Sequence, residues 1–60
     1  MISIRGYENS NLVDAFTIDE NLFNLDKIKL NYSVMCKARK FKNFKFEVIQ
    51  DGTIINTIYL

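Results

Sequence analysis

The chain has 60 residues, 48% hydrophobic and 25% charged, with five phenylalanines, three tyrosines and a formal net charge of +1. That length holds one small domain, residues 1–60, and the aromatic content is that of a folded chain rather than a disordered one. With no histidine, a single cysteine and no apolar run near the ~20 residues that cross a bilayer, the composition excludes a histidine-based active site, an internal disulfide and a spanning helix.

The first residues, Ile2 and Ile4 around Ser3, read as a strand. Residues 8–11, ENSN, read as a turn, and 12–16, LVDAF, as a second strand or a helical turn. Thr17-Ile18-Asp19-Glu20 matches a capping box, and Ile18, Leu22 and Leu25 follow at helical spacing. One short helix near 18–26 is therefore predicted, with its apolar stripe docked on a sheet.

Residues 27–38, KIKLNYSVMCKA, alternate. Ile28, Leu30, Tyr32, Val34, Cys36 and Ala38 share one parity, with Met35 the only apolar residue on the other. Period two predicts a strand, although one of that length would outrun so small a domain unless bent. The competing reading is a basic amphipathic helix over 33–43, with Ser33 as cap and Val34, Ala38 and Phe41 on one face.

The clearest local signal is Asp51-Gly52 between two β-rich runs. It predicts a hairpin with a two-residue turn that places both central residues at positive φ. An uninterrupted register sets Gln50 opposite Thr53, Val48 opposite Ile55, Phe46 opposite Thr57 and Phe44 opposite Tyr59. The other face pairs Ile49 with Ile54, Glu47 with Asn56 and Lys45 with Ile58. The expected fold class is α+β: a small antiparallel sheet of three to five strands, closed by the Asp51-Gly52 hairpin, with one short helix near 18–26.

Charge is unevenly spread. Residues 1–26 carry one cation against five acids, net −4, and residues 27–60 carry seven cations against two acids, net +5. Five of those cations crowd into 37–45: Lys37, Arg39, Lys40, Lys42 and Lys45. Phenylalanines are threaded among them. Hairpin parity assigns Phe44 and Phe46 to the core and leaves Phe41 as the aromatic exposed beside the cations. The candidate partner-binding rim is accordingly Lys37, Arg39, Lys40, Phe41, Lys42 and Lys45. A candidate apolar interface is Ile49, Ile54 and Ile58, unless the helix covers it. The final strand is also a candidate free sheet edge.

No residue pattern points to catalysis. Gly6 and Gly52 stand apart from any phosphate loop, and the acids Asp14, Asp19, Glu20 and Asp26 lack metal-ligand spacing. Cys36, on the apolar parity, reads as an inert buried thiol rather than a nucleophile. The chain is expected to be no enzyme and to need no cofactor or metal.

The leading reading is a small non-catalytic protein-binding module whose partner is a protein with an acidic surface. The alternative is a nucleic-acid-binding or regulatory module using 37–45, and self-association into a homo-oligomer is a third expectation. Ile, Asn, Lys, Phe and Tyr, all with AT-rich codons, make up 29 of the 60 residues. That bias suggests a low-GC bacterium or its phage, and with it an inhibitor that sterically blocks a larger host protein. The free cysteine, and an N-terminal stretch unlike a secretory signal, suggest the cytoplasm, with no membrane partner.

Overall fold

The computed structural model describes residues 1–60. Four strands and one long helix follow in the order β1 (Ile2–Glu8), β2 (Asn11–Ile18), α1 (Leu25–Arg39), β3 (Phe44–Gln50) and β4 (Thr53–Tyr59), with a 3₁₀ turn at Glu20–Leu22. The strands form one antiparallel sheet in the order β2-β1-β3-β4. The fold is the expected α+β class. β2 and β3 run parallel with β1 between them, and α1 crosses one face of the sheet to connect them.

Each hairpin turns on two residues at positive φ. Asp51 and Gly52 sit at 54° and 75°, and Asn9 and Ser10 at 50° and 68°. Mirror-image turns of this kind match the twist of the strands they join. Both turns fall where the sequence places them, and 12–16 lies in a strand.

Two bulges set the register. In β2, Gly6 faces Asp14 while Tyr7 faces Leu12, so Val13 is the extra residue. In β4, Val48 faces Asn56 while Ile49 faces Ile54, so Ile55 is the extra residue. Beyond Ile55 the uninterrupted register is wrong by one: Phe46 pairs with Ile58 and Lys45 with Tyr59. A bulge reverses the parity of everything that follows it.

The helix departs furthest from expectation. Residues 18–26 do not form one. Ile18 completes β2 opposite Ile2, Asp19 caps the 3₁₀ turn by accepting from the Asn21 amide at 2.9 Å, and α1 starts only at Leu25. Its N-cap is Asn24, whose side chain accepts from the Lys27 amide at 3.1 Å. The strand expected over 27–38 is helix instead. Leu25, Ile28, Tyr32 and Met35 make the inward stripe, at spacings of three and four, and Met35, the exception to alternation, packs against the core. Leu30 and Val34 mimicked a strand's buried parity, yet they stand 64% and 61% exposed on the outside of α1.

The helix ends at Lys40, in the left-handed conformation at φ 59°, with the Phe41 amide donating to the Cys36 carbonyl at 2.9 Å. Lys37 and Arg39 in the last turn, and Asp26 in the first, suit the helix dipole.

The core lies between α1 and one face of the sheet: Ile2, Ile4, Ile28, Tyr32, Phe44, Phe46 and Val48. Tyr32 is its hub, with ring centroids 4.9 Å from Phe44 and 5.0 Å from Phe46. Gly6 makes the room. A β-carbon there would stand 2.7 Å from Cζ of Phe44 and 3.4 Å from the Tyr32 hydroxyl. No helix is long and apolar enough to cross a membrane.

Candidate functional site

The helix covers one face of the sheet and leaves the other open. Side chains directly opposite in neighbouring strands share a face, so the ladders give the open face row by row. One row is Leu12, Tyr7, Lys45 and Tyr59; the next is Ala15, Arg5, Glu47 and Thr57; the third is Thr17, Ser3, Ile49 and Ile54.

The first row holds the densest chemistry. The Lys45 ammonium lies 5.5 Å from the centroid of the Tyr7 ring and 4.0 Å from a Glu47 carboxylate oxygen. Tyr59, on its other side, is 75% exposed. At the end of this row is a hollow of ≈ 350 Å³, lined by Asn9, Lys42, Lys45, Tyr59 and Leu60 among others.

A rigid bracket supports the hollow. The Glu8 carboxylate accepts from the backbone amides of Lys42 and Asn43, each at 3.1 Å. The Asn9 amide donates to the Asn43 carbonyl at 3.1 Å, and the Asn43 side-chain amide donates to Asn9 Oδ1 at 2.8 Å. The β1–β2 turn thereby holds the α1–β3 loop that carries Lys42. The Leu60 amide donates to the Phe44 carbonyl at 3.0 Å and fixes the end of β4.

The cationic rim divides into two groups. Lys37, Arg39 and Lys40 are exposed on the last turn and cap of α1. Lys42 and Lys45 meet at the hollow. Phe41 is not the free aromatic expected among them: it is half-buried, packs against the core and stacks on Phe44 at 6.0 Å, 7° from parallel.

The apolar trio also divides. Ile49 and Ile54 pair on the open face, which the helix does not cover, while Ile58 is carried by the bulge to the helix side, half-buried against the core. The same parity change brings Tyr59 out of its expected core position and sets it beside Lys45. Arg5, Tyr7 and Tyr59 were not among the candidate residues. Tyr7 was legible, since it lies on the opposite parity to Ile2 and Ile4; Tyr59 was not, because nothing in TIINTIYL announces the extra residue.

Cys36 is half-buried on α1 rather than on a strand. Burial raises its thiol above the ordinary range and the nearby Glu8 charge adds to this, so its thiolate is disfavoured at neutral pH. On the helix side, the Tyr32 hydroxyl donates to Asp14 Oδ2 at 2.9 Å. No group of three or more Cys, Asp or Glu side chains is arranged to hold a metal ion.

No family model matches the chain, and neither does a curated protein or a solved structure.

Proposed function

We propose that the protein is a small non-catalytic binding module that docks the open face of its sheet on another protein. The observation that carries this reading is the row Tyr7, Lys45, Tyr59 on a face that no element of the chain covers, with Tyr59 exposed and Tyr7 and Lys45 half-buried beside it. Tyrosine and arginine are enriched where protein interfaces draw their energy, and the row places two tyrosines beside Arg5. Tyr59 is the anchor. Arg5 and Lys45, with Lys42 at the end of the face, outnumber the one acid in its rows, Glu47, so the complementary surface is acidic.

The mode of action in this reading is occlusion: the open sheet face covers a site on a larger protein and blocks it. The AT-rich residue bias adds a phage-encoded inhibitor of a host protein as the concrete form of the proposal. The test is retention of a partner from the source cells by wild-type protein and by Lys42→Glu/Lys45→Glu. A partner held by the first and lost by the second supports the reading; the same set of proteins on both contradicts it.

The same row favours a second reading, since tyrosines flanking a cation on the open face of a four-stranded sheet also stack unpaired bases. If four phosphates were engaged, affinity for a single strand would fall about 50-fold between 50 and 200 mM salt. Absence of binding to single-stranded DNA and RNA at 50 mM salt removes this alternative.

A further inference from the structure

The side of the sheet away from the open face carries a second feature. Between α1 and the edge strand β2 run two adjoining cavities. One, of ≈ 240 Å³, is lined by Asp14, Phe16, Ile28, Asn31, Tyr32 and Met35. The other, of ≈ 350 Å³, shares Phe16, Ile28 and Asn31 with the first and adds Ile18, Leu22, Asn24 and Lys27. Together they make one groove beside the strand, with Phe16 and Ile28 shared between them, Asp14 lining one end and Lys27 the other. Two of its apolar residues are open to solvent: Leu22 is 72% exposed and Phe16 38%.

The strand beside this groove is a free edge. β2 pairs only with β1, and none of the backbone hydrogen bonds outside the helix and the ladders involves it. Its outward amides and carbonyls are available to another strand. Asp14, Phe16 and Ile18 pair with Gly6, Ile4 and Ile2, all core-side positions, and so lie on the groove side of β2 at two-residue spacing. A strand added to this edge presents its own alternate side chains to that side at the same period, about 6.7 Å apart.

We infer that the groove between α1 and β2 binds an extended peptide segment of a partner protein, added antiparallel to β2, with two apolar side chains two residues apart in the two cavities. Every existing pair in the sheet is antiparallel, and antiparallel pairs are the commoner kind. That direction sets the charge pattern. The N-terminal part of the segment lies near Ile18 and Lys27 and carries an acidic residue; the C-terminal part lies opposite Asp14 and carries a basic one. The recognised pattern is acidic-x-apolar-x-apolar-x-basic. This site is independent of the open face, and Lys27 belongs to neither the core nor the Tyr7, Lys45, Tyr59 row.

The experiment is fluorescence anisotropy with the labelled peptide Glu-Thr-Leu-Thr-Ile-Thr-Lys, flanked by glycines, and with the same residues in reverse order. The forward peptide is expected to bind and to protect β2 amides from hydrogen exchange. Lys27→Glu is expected to weaken it about fivefold, the upper size of one exposed ion pair. A peptide with lysine in place of its glutamate is expected to recover that loss on the variant. Binding unaffected by sequence reversal overturns the inference, as does no binding up to about 1 mM. Self-association through β2 that excludes the peptide overturns it too. Tyr59→Ala leaves peptide binding unchanged if the two sites are separate, and its loss in that variant contradicts the assignment.

Discussion

The Tyr32 hydroxyl donates to Asp14 at 2.9 Å and so ties the middle of α1 to the edge strand β2. Tyr32 is otherwise packed among Phe16, Phe44 and Phe46, and this bond satisfies its polar end. Tyr32→Phe keeps the ring, removes the donor and leaves a half-buried carboxylate without its partner. A loss of about 1–2 kcal/mol in chemical denaturation is expected at neutral pH.

The same pair predicts a pH dependence. Burial, then the hydrogen bond to Asp14, then the Asp14 charge all raise the Tyr32 hydroxyl well above its ordinary value of 10.0. Above about pH 10 the unfolded chain therefore releases a proton that the folded chain keeps, and stability falls with pH, at a limiting slope near 1.4 kcal/mol per unit. The contribution is fully present below that pH. Tyr32→Phe lacks this loss, so the stability gap between wild type and variant should narrow on going from pH 9 to pH 11. A gap constant across that range contradicts the assignment.

Gly6 is required by space rather than by backbone angle. Its missing β-carbon leaves room for the edge of the Phe44 ring. Gly6→Ala is expected to cost about 1–3 kcal/mol by overpacking. Combining it with Phe44→Leu should cost less than the sum of the two single changes, because the smaller side chain relieves the contact. Additive costs in thermal denaturation would show that the contact is not the cause.

Ser10 adopts φ 68° in the β1–β2 turn, a conformation that disfavours residues other than glycine and asparagine. Ser10→Gly creates the preferred Asn-Gly pair and is expected to stabilise by about 0.5–1 kcal/mol, the strain relieved exceeding the added flexibility of the unfolded chain. A lower melting temperature for the variant would contradict the turn geometry.

These local features show which parts of the fold could be read in advance. Both hairpin turns were legible, one from the polar run ENSN and the other from the Asp51-Gly52 pair, which carries its own conformational preference. The inward phenylalanines of β3 were legible because they precede the bulge. The helix was not, because Leu30 and Val34 are apolar and exposed, so two helical faces together imitate one strand face. The short cap at Thr17 was plausible locally and lost to the pairing of Ile18 with Ile2, a contact no local pattern contains. Of the candidate site, Lys42 and Lys45 stand where they meet, but their aromatic neighbour Tyr59 was hidden by a single extra residue, Ile55.

That residue gives a sharp structural check. Deleting Ile55 removes the bulge yet leaves every observed pair in place, because Asn56 then follows Ile54 directly and still meets Val48. The deletion is expected to fold and to keep Lys45 opposite Tyr59, seen as cross-strand proton contacts by NMR. A shift that brings Tyr59 opposite Phe44 or Phe46 would contradict the register.

On the proposed function, Tyr59 anchors a protein partner on the open face. The most direct measurement places a photo-crosslinking phenylalanine analogue at position 59 and, separately, at position 34 on the outside of α1, in the source cells. One discrete protein adduct is expected from position 59, absent when Lys45 is changed to glutamate, and none of that mass from position 34. No adduct from position 59, or the same adducts from both positions, would contradict it.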